Sequence, residues 1–116
     1  MASAYKVLGQ KVPTATTAAG ASSNLTTLYT SGTASGAIVS TITICNQSTS
    51  AQTYRVSVRV AGAADDPKQY LAYDVVLGSN ATDTLTLGLT LANTDVISIA
   101  ASSTSVSFNA YGSELS

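Results

Sequence analysis

The chain has 116 residues, a length that fits one domain able to bury a substantial core. Charged residues make up only 9% of it, well below the roughly 25% of ordinary soluble domains. The formal net charge of −1 argues against nucleic acid as a partner, because phosphate binding needs clustered lysine and arginine. No stretch approaches the ~20 apolar residues of a membrane span, and the N-terminus lacks the apolar run of a signal peptide.

Cys45 is the one cysteine in the chain, so no internal disulfide can form and a reducing compartment is expected. A reactive thiolate needs a basic or histidine neighbour, and the chain contains no histidine. We therefore expect Cys45 to be a small buried hydrophobic residue in a strand.

The first 23 residues divide into a strand and a linker. Tyr5–Gln10 (YKVLGQ) is predicted to be a short strand, and Lys11–Ser23 has no periodicity and only Val12 as a large apolar residue. Two arrangements are open for residues 1–23. They form an arm that adds its strand to a neighbouring subunit, or the strand folds back onto its own sheet and the linker is a plain loop. The whole chain, 1–116, is predicted to be a single domain with a compact part over 24–116.

The region from Asn24 to Gly62 is predicted to hold three strands. In Asn24–Thr30, Leu25 and Leu28 are out of phase for one face, which indicates either a bulge or a strand buried on both sides. Ala37–Gly62 is predicted to be a hairpin whose polar turn, Asn46–Gln52, joins two alternating strands. Its inner residues are expected to be Ile38, Ile42 and Ile44 on the first strand, and Tyr54, Val56, Val58 and Val60 on the second.

The second half of the chain continues the same pattern. Gly62–Gln69 is predicted to be an exposed loop, and Tyr70–Leu77 a strand with Tyr70 and Tyr73 on opposite faces. Further strands are predicted at Thr82–Leu91, Val96–Ala101 and Ser105–Leu115, with inner residues Leu85, Leu87, Leu89, Leu91, Val106, Phe108 and Ala110. Eight short strands and no helical pattern predict an all-β antiparallel sandwich, either jelly-roll-like or immunoglobulin-like.

Catalytic chemistry has little support in this sequence. Histidine, the commonest general base, is absent, and no serine lies in a G-x-S-x-G elbow. Asp74, Asp83 and Asp95 lie on separate segments, so a carboxylate pair for glycoside hydrolysis is not favoured. Asp65 and Asp66 precede Pro67 without the spacing of a calcium loop. The sequence therefore predicts a protein that is not an enzyme and uses no metal or cofactor.

Two arginines on one strand face are the most informative charged residues. Arg55 and Arg59 point to the same side of a strand, roughly 13 Å apart by strand rise. They form either a solvated, charge-guarded sheet face or a docking face, since arginine is enriched at interfaces. Asp74 is the expected ion-pair partner of one of them. The predicted interaction face comprises Arg55, Arg59, Tyr5, Lys6 and Lys11.

Several strings of this sequence resemble a family of small virion structural proteins of tailed phages, notably cyanophages. The strings are YKVLGQ, LTTLYT, IVSTITICN, YRVSVRVAG, KQYLAYDVVL, TLTLGLTLANTDVISI and SFNAYGSEL. They cover nearly the whole chain apart from residues 11–23. The resemblance is one of overall pattern rather than of a catalytic motif, so it carries over no site residues.

The resemblance implies a role in virion assembly, with the chain assembled in the host cytoplasm. It favours a capsid decoration or cement protein, most often a trimer, that binds the major capsid protein. A tail, baseplate or fibre-base component is the alternative. A carbohydrate-binding module for host attachment is a weaker one, because the chain has no tryptophan.

Overall fold

A computed structural model of the chain describes residues 3–22 and 24–115, and it confirms the predicted all-β sandwich. Eight strands and two short 3₁₀ turns make up its regular structure. The strands are β1 (Ser3–Lys11), β2 (Thr26–Thr30), β3 (Ala37–Asn46), β4 (Gln52–Arg59), β5 (Tyr70–Leu77), β6 (Thr82–Leu91), β7 (Val96–Ala101) and β8 (Val106–Leu115). The 3₁₀ turns, Val60–Gly62 and Pro67–Gln69, lie between β4 and β5.

The strands form two four-stranded antiparallel sheets with a nested order. Sheet 1 runs β1-β8-β3-β6, and sheet 2 runs β2-β7-β4-β5. β4 pairs with β5, β3 with β6, β2 with β7 and β1 with β8. The chain is thus one long hairpin, with its tip at residues 60–69, wound into two layers. This is the order of a jelly roll, and it differs from the immunoglobulin order.

The predicted β3–β4 hairpin is wrong, because these two strands lie in different sheets. Residues 47–51 cross from sheet 1 to sheet 2. Fully buried Asn46 fixes the crossing, since its Nδ2 donates to the carbonyl oxygens of Ser50 (2.9 Å), Leu77 (3.1 Å) and Gly78 (3.0 Å). Its Oδ1 accepts a hydrogen bond from the backbone N–H of Ser48 at 2.9 Å. The alternation of β3 and β4 defines their inner faces but not their partners.

Because of a bulge in β3, one end of its inner face differs from the prediction. The register of β3 against both β6 and β8 shifts between Val39 and Thr41. Val39 is therefore buried and Ile38 is 39% exposed, the reverse of the prediction, whereas Ile42 and Ile44 are buried as predicted. The expected bulge in β2 is confirmed between Thr27 and Tyr29.

The core lies between the two sheets, where the predicted inner residues of β8 are fully buried and those of β6 pack against them. Tyr54 and Phe108 meet edge to face across the sandwich, with ring centroids 6.2 Å apart. Val56 is buried, but Val60 lies past the end of β4 in a turn and is 68% exposed, so its predicted inner position is wrong.

Of the two arrangements open for residues 1–23, the structure has the strand within its own sheet. β1 pairs with β8 from Ser3 opposite Leu115 to Lys11 opposite Phe108. Met1, Ala2 and Ser23 lie outside the described residues. Residues 12–22 are not a bare loop, since Pro13 and Thr17 are buried against the domain.

Candidate functional site

The outer face of sheet 2 is covered by the chain's own residues 12–22. The Thr14 N–H donates to Oγ1 of Thr26 on β2 (3.1 Å), and the Thr17 N–H donates to the carbonyl of Ala101 on β7 (2.7 Å). Further along, the Gly20 N–H donates to Oδ2 of Asp74 on β5 at 2.8 Å. The segment therefore crosses the sheet from β2 to β5, and it covers part of the outer face of β4 from solvent and from any partner.

Arg55 lies beneath this segment and is only 1% exposed. Its Nε donates to Oδ1 of Asp74 at 2.6 Å, and its Nη2 donates to Oδ2 of Asp74 and to the Ala21 carbonyl, each at 3.1 Å. The predicted arginine–Asp74 ion pair is thus confirmed, and it is bidentate. The hydrogen bond from Arg55 lowers the pKa of Asp74, and the same bond raises the pKa of Arg55.

Two irregularities in β5 place its tyrosines side by side. Against β4, strand β5 carries one extra residue between Tyr70 and Ala72, and another between Ala72 and Val75. Asp74, in the second bulge, has a φ of 52°, which is strained for a residue with a side chain. The rings of Tyr70 and Tyr73 meet edge to face with centroids 4.9 Å apart, so the prediction of opposite faces is wrong.

A cleft of about 560 Å³ opens beside these rings. Its walls come from three parts of the chain, and its lining residues are Ala21, Ser22, Asp65, Pro67, Tyr70 and Tyr73. The Tyr70 hydroxyl donates to Oδ1 of Asp65 at 2.8 Å, and the Arg55 guanidinium lies 4.1 Å from the centre of the Tyr73 ring. Sequence reasoning missed this cleft, because neither the bulges nor the approach of residues 21–22 leaves a sequence pattern.

The five residues of the predicted interaction face lie on two different sheets. Arg55 and Arg59 belong to β4 in sheet 2, and Tyr5, Lys6 and Lys11 belong to β1 in sheet 1. The side chain of Arg59 donates to Ser98 Oγ (3.0 Å) and to the Ala63 carbonyl (3.1 Å), which ties down the hairpin tip. Lys6 pairs with Glu114, and Tyr5 is 87% exposed. The structure therefore does not bring these residues together.

The outer face of sheet 1 has a different character, because its register places only uncharged residues there. We call it the neutral face. Its members on β1, β8, β3 and β6 are Tyr5, Val7, Gln10, Ser107, Asn109, Tyr111, Ser113, Ile38, Ser40, Thr41, Thr43, Cys45, Thr82, Thr84, Thr86 and Thr90. The alternating threonines of β6 are the sequence signal that could have identified this face.

A shallow groove of about 170 Å³ lies at one end of the neutral face, between Tyr5 and Ile38. Ser113 lies between them in the same cross-strand row. Its side chain is 6% exposed, and within the described residues its Oγ has no hydrogen-bond partner. Tyr5, Val7 and Ile38 are exposed by 87, 47 and 39%, so large apolar side chains surround a buried polar atom.

The aspartates considered for catalysis each bind within the fold. Asp74 holds Arg55, Asp83 accepts from the Tyr54 hydroxyl, and Asp95 accepts from backbone N–H groups of the turns at Ala61 and Ala92. Among the described residues, no group of three histidine, cysteine, aspartate or glutamate side chains gathers as a metal site would require. These carboxylates are accounted for by structural roles.

Comparison with known proteins finds no matching family model, no matching curated protein and no matching solved structure. Within the described part of the chain, no helix is long and apolar enough to cross a membrane. The candidate sites are therefore judged on their own geometry and chemistry, and there are two of them, the neutral face of sheet 1 and the tyrosine cleft of sheet 2.

Proposed function

We propose that this protein is a non-enzymatic structural component of a tailed-phage virion, and that it decorates the outer surface of the capsid. The observation that carries the proposal is the neutral face, a whole sheet surface without a charged residue. Charged residues are depleted at the centre of protein–protein interfaces, because a charge buried there without a partner is costly. A face of this kind suits docking on another protein.

The groove between Tyr5 and Ile38 supplies a point of specificity on this face, because a side chain of the partner can enter it beside Ser113. The flanking Tyr5, Val7 and Ile38 supply apolar surface that water leaves on contact. We propose the major capsid protein as the partner, with further copies of this chain beside it, most simply as a trimer.

The jelly-roll order supports the proposal in a weaker way, since this architecture is common among capsid proteins but also occurs in lectins and cupins. The low charge of the chain adds to it, because a protein with little surface charge is poorly protected against association. Both observations equally support the alternative, a tail, baseplate or fibre-base component.

Sedimentation of the chain with purified phage heads that lack it tests the proposal. The unmodified protein should co-sediment in hundreds of copies per head, and Val7→Lys, on the neutral face, should reduce this at least tenfold. Val76→Lys is the matched control, since Val76 is 68% exposed on β5 in the other sheet. Binding in tens of copies at the tail supports the alternative position, and equal binding by Val7→Lys contradicts docking through the neutral face.

A further inference from the structure

We propose that the cleft beside Tyr70 and Tyr73 binds a neutral pyranose ring of a glycan. The cleft lies on sheet 2, on the opposite side of the sandwich from the neutral face. A chain docked through the neutral face therefore turns this cleft outward. The proposal does not depend on that docking and stands on the chemistry of the cleft.

The size and the walls of the cleft fit one or two sugar rings. Its volume of about 560 Å³ falls within the ~300–1,000 Å³ of small-molecule sites. Tyr70 and Tyr73 stand at 83° to each other, so their rings form a corner. A pyranose has apolar C–H faces that pack on an aromatic ring and hydroxyls around its rim, so it can use the corner and the polar edge together.

The aromatic corner is held in place before any ligand arrives. Tyr73 is exposed by 54%, yet one face of its ring is fixed by the Arg55 guanidinium 4.1 Å away. Arg55 is held in turn by Asp74, whose positive φ is a strained conformation. Strain of this kind concentrates at ligand clamps, because the surrounding structure must maintain it. A prepared site loses less conformational entropy on binding.

The charges around the cleft disfavour an anionic ligand. An anion would meet the carboxylate of Asp65, while the nearby cation, Arg55, is buried and already bound to Asp74. A cation is attracted by the same carboxylate, but the Arg55 guanidinium already lies over the Tyr73 ring, which reduces what a second cation gains from that ring. A cationic sugar is therefore the decisive competitor of a neutral one.

The polar groups of the cleft favour a ligand rich in hydroxyls over a purely apolar one. The Asp65 carboxylate accepts one hydrogen bond from Tyr70 and has capacity for more. Ser22 also lines the cleft. A purely apolar ligand would strip water from the carboxylate without replacing its hydrogen bonds, which is costly. The rim hydroxyls of a sugar replace them.

Titration of the isotope-labelled full chain with neutral methyl pyranosides tests the proposal. The panel is methyl glucoside, galactoside and mannoside with N-acetylglucosamine, and glucosamine and galacturonic acid serve as charged counterparts. We expect saturable amide shifts at Asp65, Tyr70 and Tyr73 for at least one neutral sugar. The expected dissociation constant is on the order of 1 mM, as for a ligand of about a dozen heavy atoms.

Two variants and one control complete the test. Tyr73→Ala should weaken binding about tenfold by removing one ring of the corner. Asp65→Asn, at an exposed position that leaves Tyr73 and Arg55 in place, should weaken it severalfold, so that a fold defect cannot explain both results. Val76→Ala, on the same strand but outside the cleft, should bind as the unmodified chain does.

Three results would overturn the proposal. The first is the absence of saturable shifts with every neutral sugar at about 50 mM, a concentration far above the expected dissociation constant. The second is equal affinity of Tyr73→Ala and the unmodified chain. The third is tighter binding of either charged sugar than of all the neutral ones. Head docking through Val7 is measured separately, so the failure of one proposal leaves the other intact.

Discussion

Tyr54 on β4 donates its phenolic hydrogen bond to Oδ2 of Asp83 on β6, at 2.9 Å, and thereby joins the two sheets. A second bond of the same kind runs from the Tyr29 hydroxyl on β2 to Oε2 of Glu114 on β8, at 2.7 Å. In both, a tyrosine of sheet 2 reaches a carboxylate of sheet 1. The sandwich is thus joined by directional bonds as well as by its apolar core.

Removing the Tyr54 hydroxyl should weaken the fold without disturbing its packing. Tyr54→Phe keeps the ring against Phe108 and loses a hydrogen bond to a carboxylate, so we expect a loss of about 1.5–3 kcal/mol in the free energy of unfolding. Urea denaturation measures it. Tyr5→Phe is the control, since Tyr5 is 87% exposed, and it should change the free energy by less than about 0.5 kcal/mol. Equal effects of the two variants would remove the role assigned to the cross-sheet bond.

Acid should destabilise the protein through Asp74 and Glu114. The pKa of Asp74 is lowered chiefly by the hydrogen bond from Arg55, and that of Glu114 chiefly by Lys6 and then by Tyr29. A carboxyl with a lowered pKa in the folded state contributes stability above its unfolded pKa, near about 4, and this contribution is lost as pH falls through the folded value. Melting temperatures should therefore drop below about pH 4. In Glu114→Gln the drop should be smaller, and an unchanged profile would contradict the role of Glu114.

Alkali should destabilise it through the two cross-sheet tyrosines. Burial, and then the neighbouring carboxylate, raises the pKa of Tyr29 and of Tyr54. The folded state holds each phenol neutral and so raises its pKa. The stability that each phenol contributes is fully present below the unfolded pKa of about 10, and it is lost as pH rises from there through the folded-state pKa. Tyrosinate absorbance should show these two groups ionising only as the chain unfolds. If all tyrosines ionised together in the folded protein, this prediction would fail.

Removing the charge of only one partner of the buried Arg55–Asp74 pair should strongly lower the free energy of unfolding. Asp74→Asn tolerates the positive φ but leaves the guanidinium without its counter-charge, so we expect a loss of about 3–5 kcal/mol. The double variant Arg55→Met with Asp74→Asn removes the uncompensated charge and should recover most of that loss. Chemical denaturation of Asp74→Asn, Arg55→Met and the double variant gives the coupling energy, and additive losses would show that the two residues act independently.

Two strand glycines of sheet 1 should respond oppositely to alanine. A Cβ on Gly112 would overlap the carbonyl oxygen of Ile38, whereas a Cβ on Gly88 would meet no atom within 4 Å. Gly112→Ala should therefore disrupt the β8–β3 pairing by several kcal/mol, and Gly88→Ala should be neutral or stabilise by up to about 1 kcal/mol. Thermal melts of the two variants decide this, and similar melting temperatures would contradict the close approach at Gly112.

The strands and most of their inner faces were predictable from the sequence, but their partners were not. Alternation in β6 and β8 identifies the residues that pack inward, because a strand with one buried face repeats every two residues. Alternation carries no information about which strand lies alongside, so β3 and β4 were wrongly paired. The crossing between sheets depends on Asn46, whose three acceptors lie in two separate turns and at the end of β5.

Most errors in facing occur where a strand carries an extra residue; the exceptions are Val60, which lies past the end of β4, and Cys45, which is half-buried on the outer face of β3 and not in the core as expected. The bulge near Ser40 exchanges Ile38 and Val39, and the two bulges of β5 bring Tyr70 next to Tyr73. A bulge changes the period for one step only. The phase of Leu25 and Leu28 indicated the bulge in β2, but the apolar patterns of β3 and β5 are too short to indicate theirs. The burial of Arg55 was also beyond the sequence, because it depends on a covering segment 34 residues away.

The nesting of the strand pairs sets an order of assembly for the chain. β4 and β5 are separated only by the tip at residues 60–69, whereas β1 and β8 join Ser3 to Leu115. Closing a long loop costs more entropy, so β1 can pair cheaply only after the inner pairs have shortened the path. Amides of β1 should then exchange with solvent sooner than those of β4. Since β1 supplies Tyr5 and Val7, the proposed docking surface is completed last, and a copy in which β1 has not yet paired lacks one edge of it.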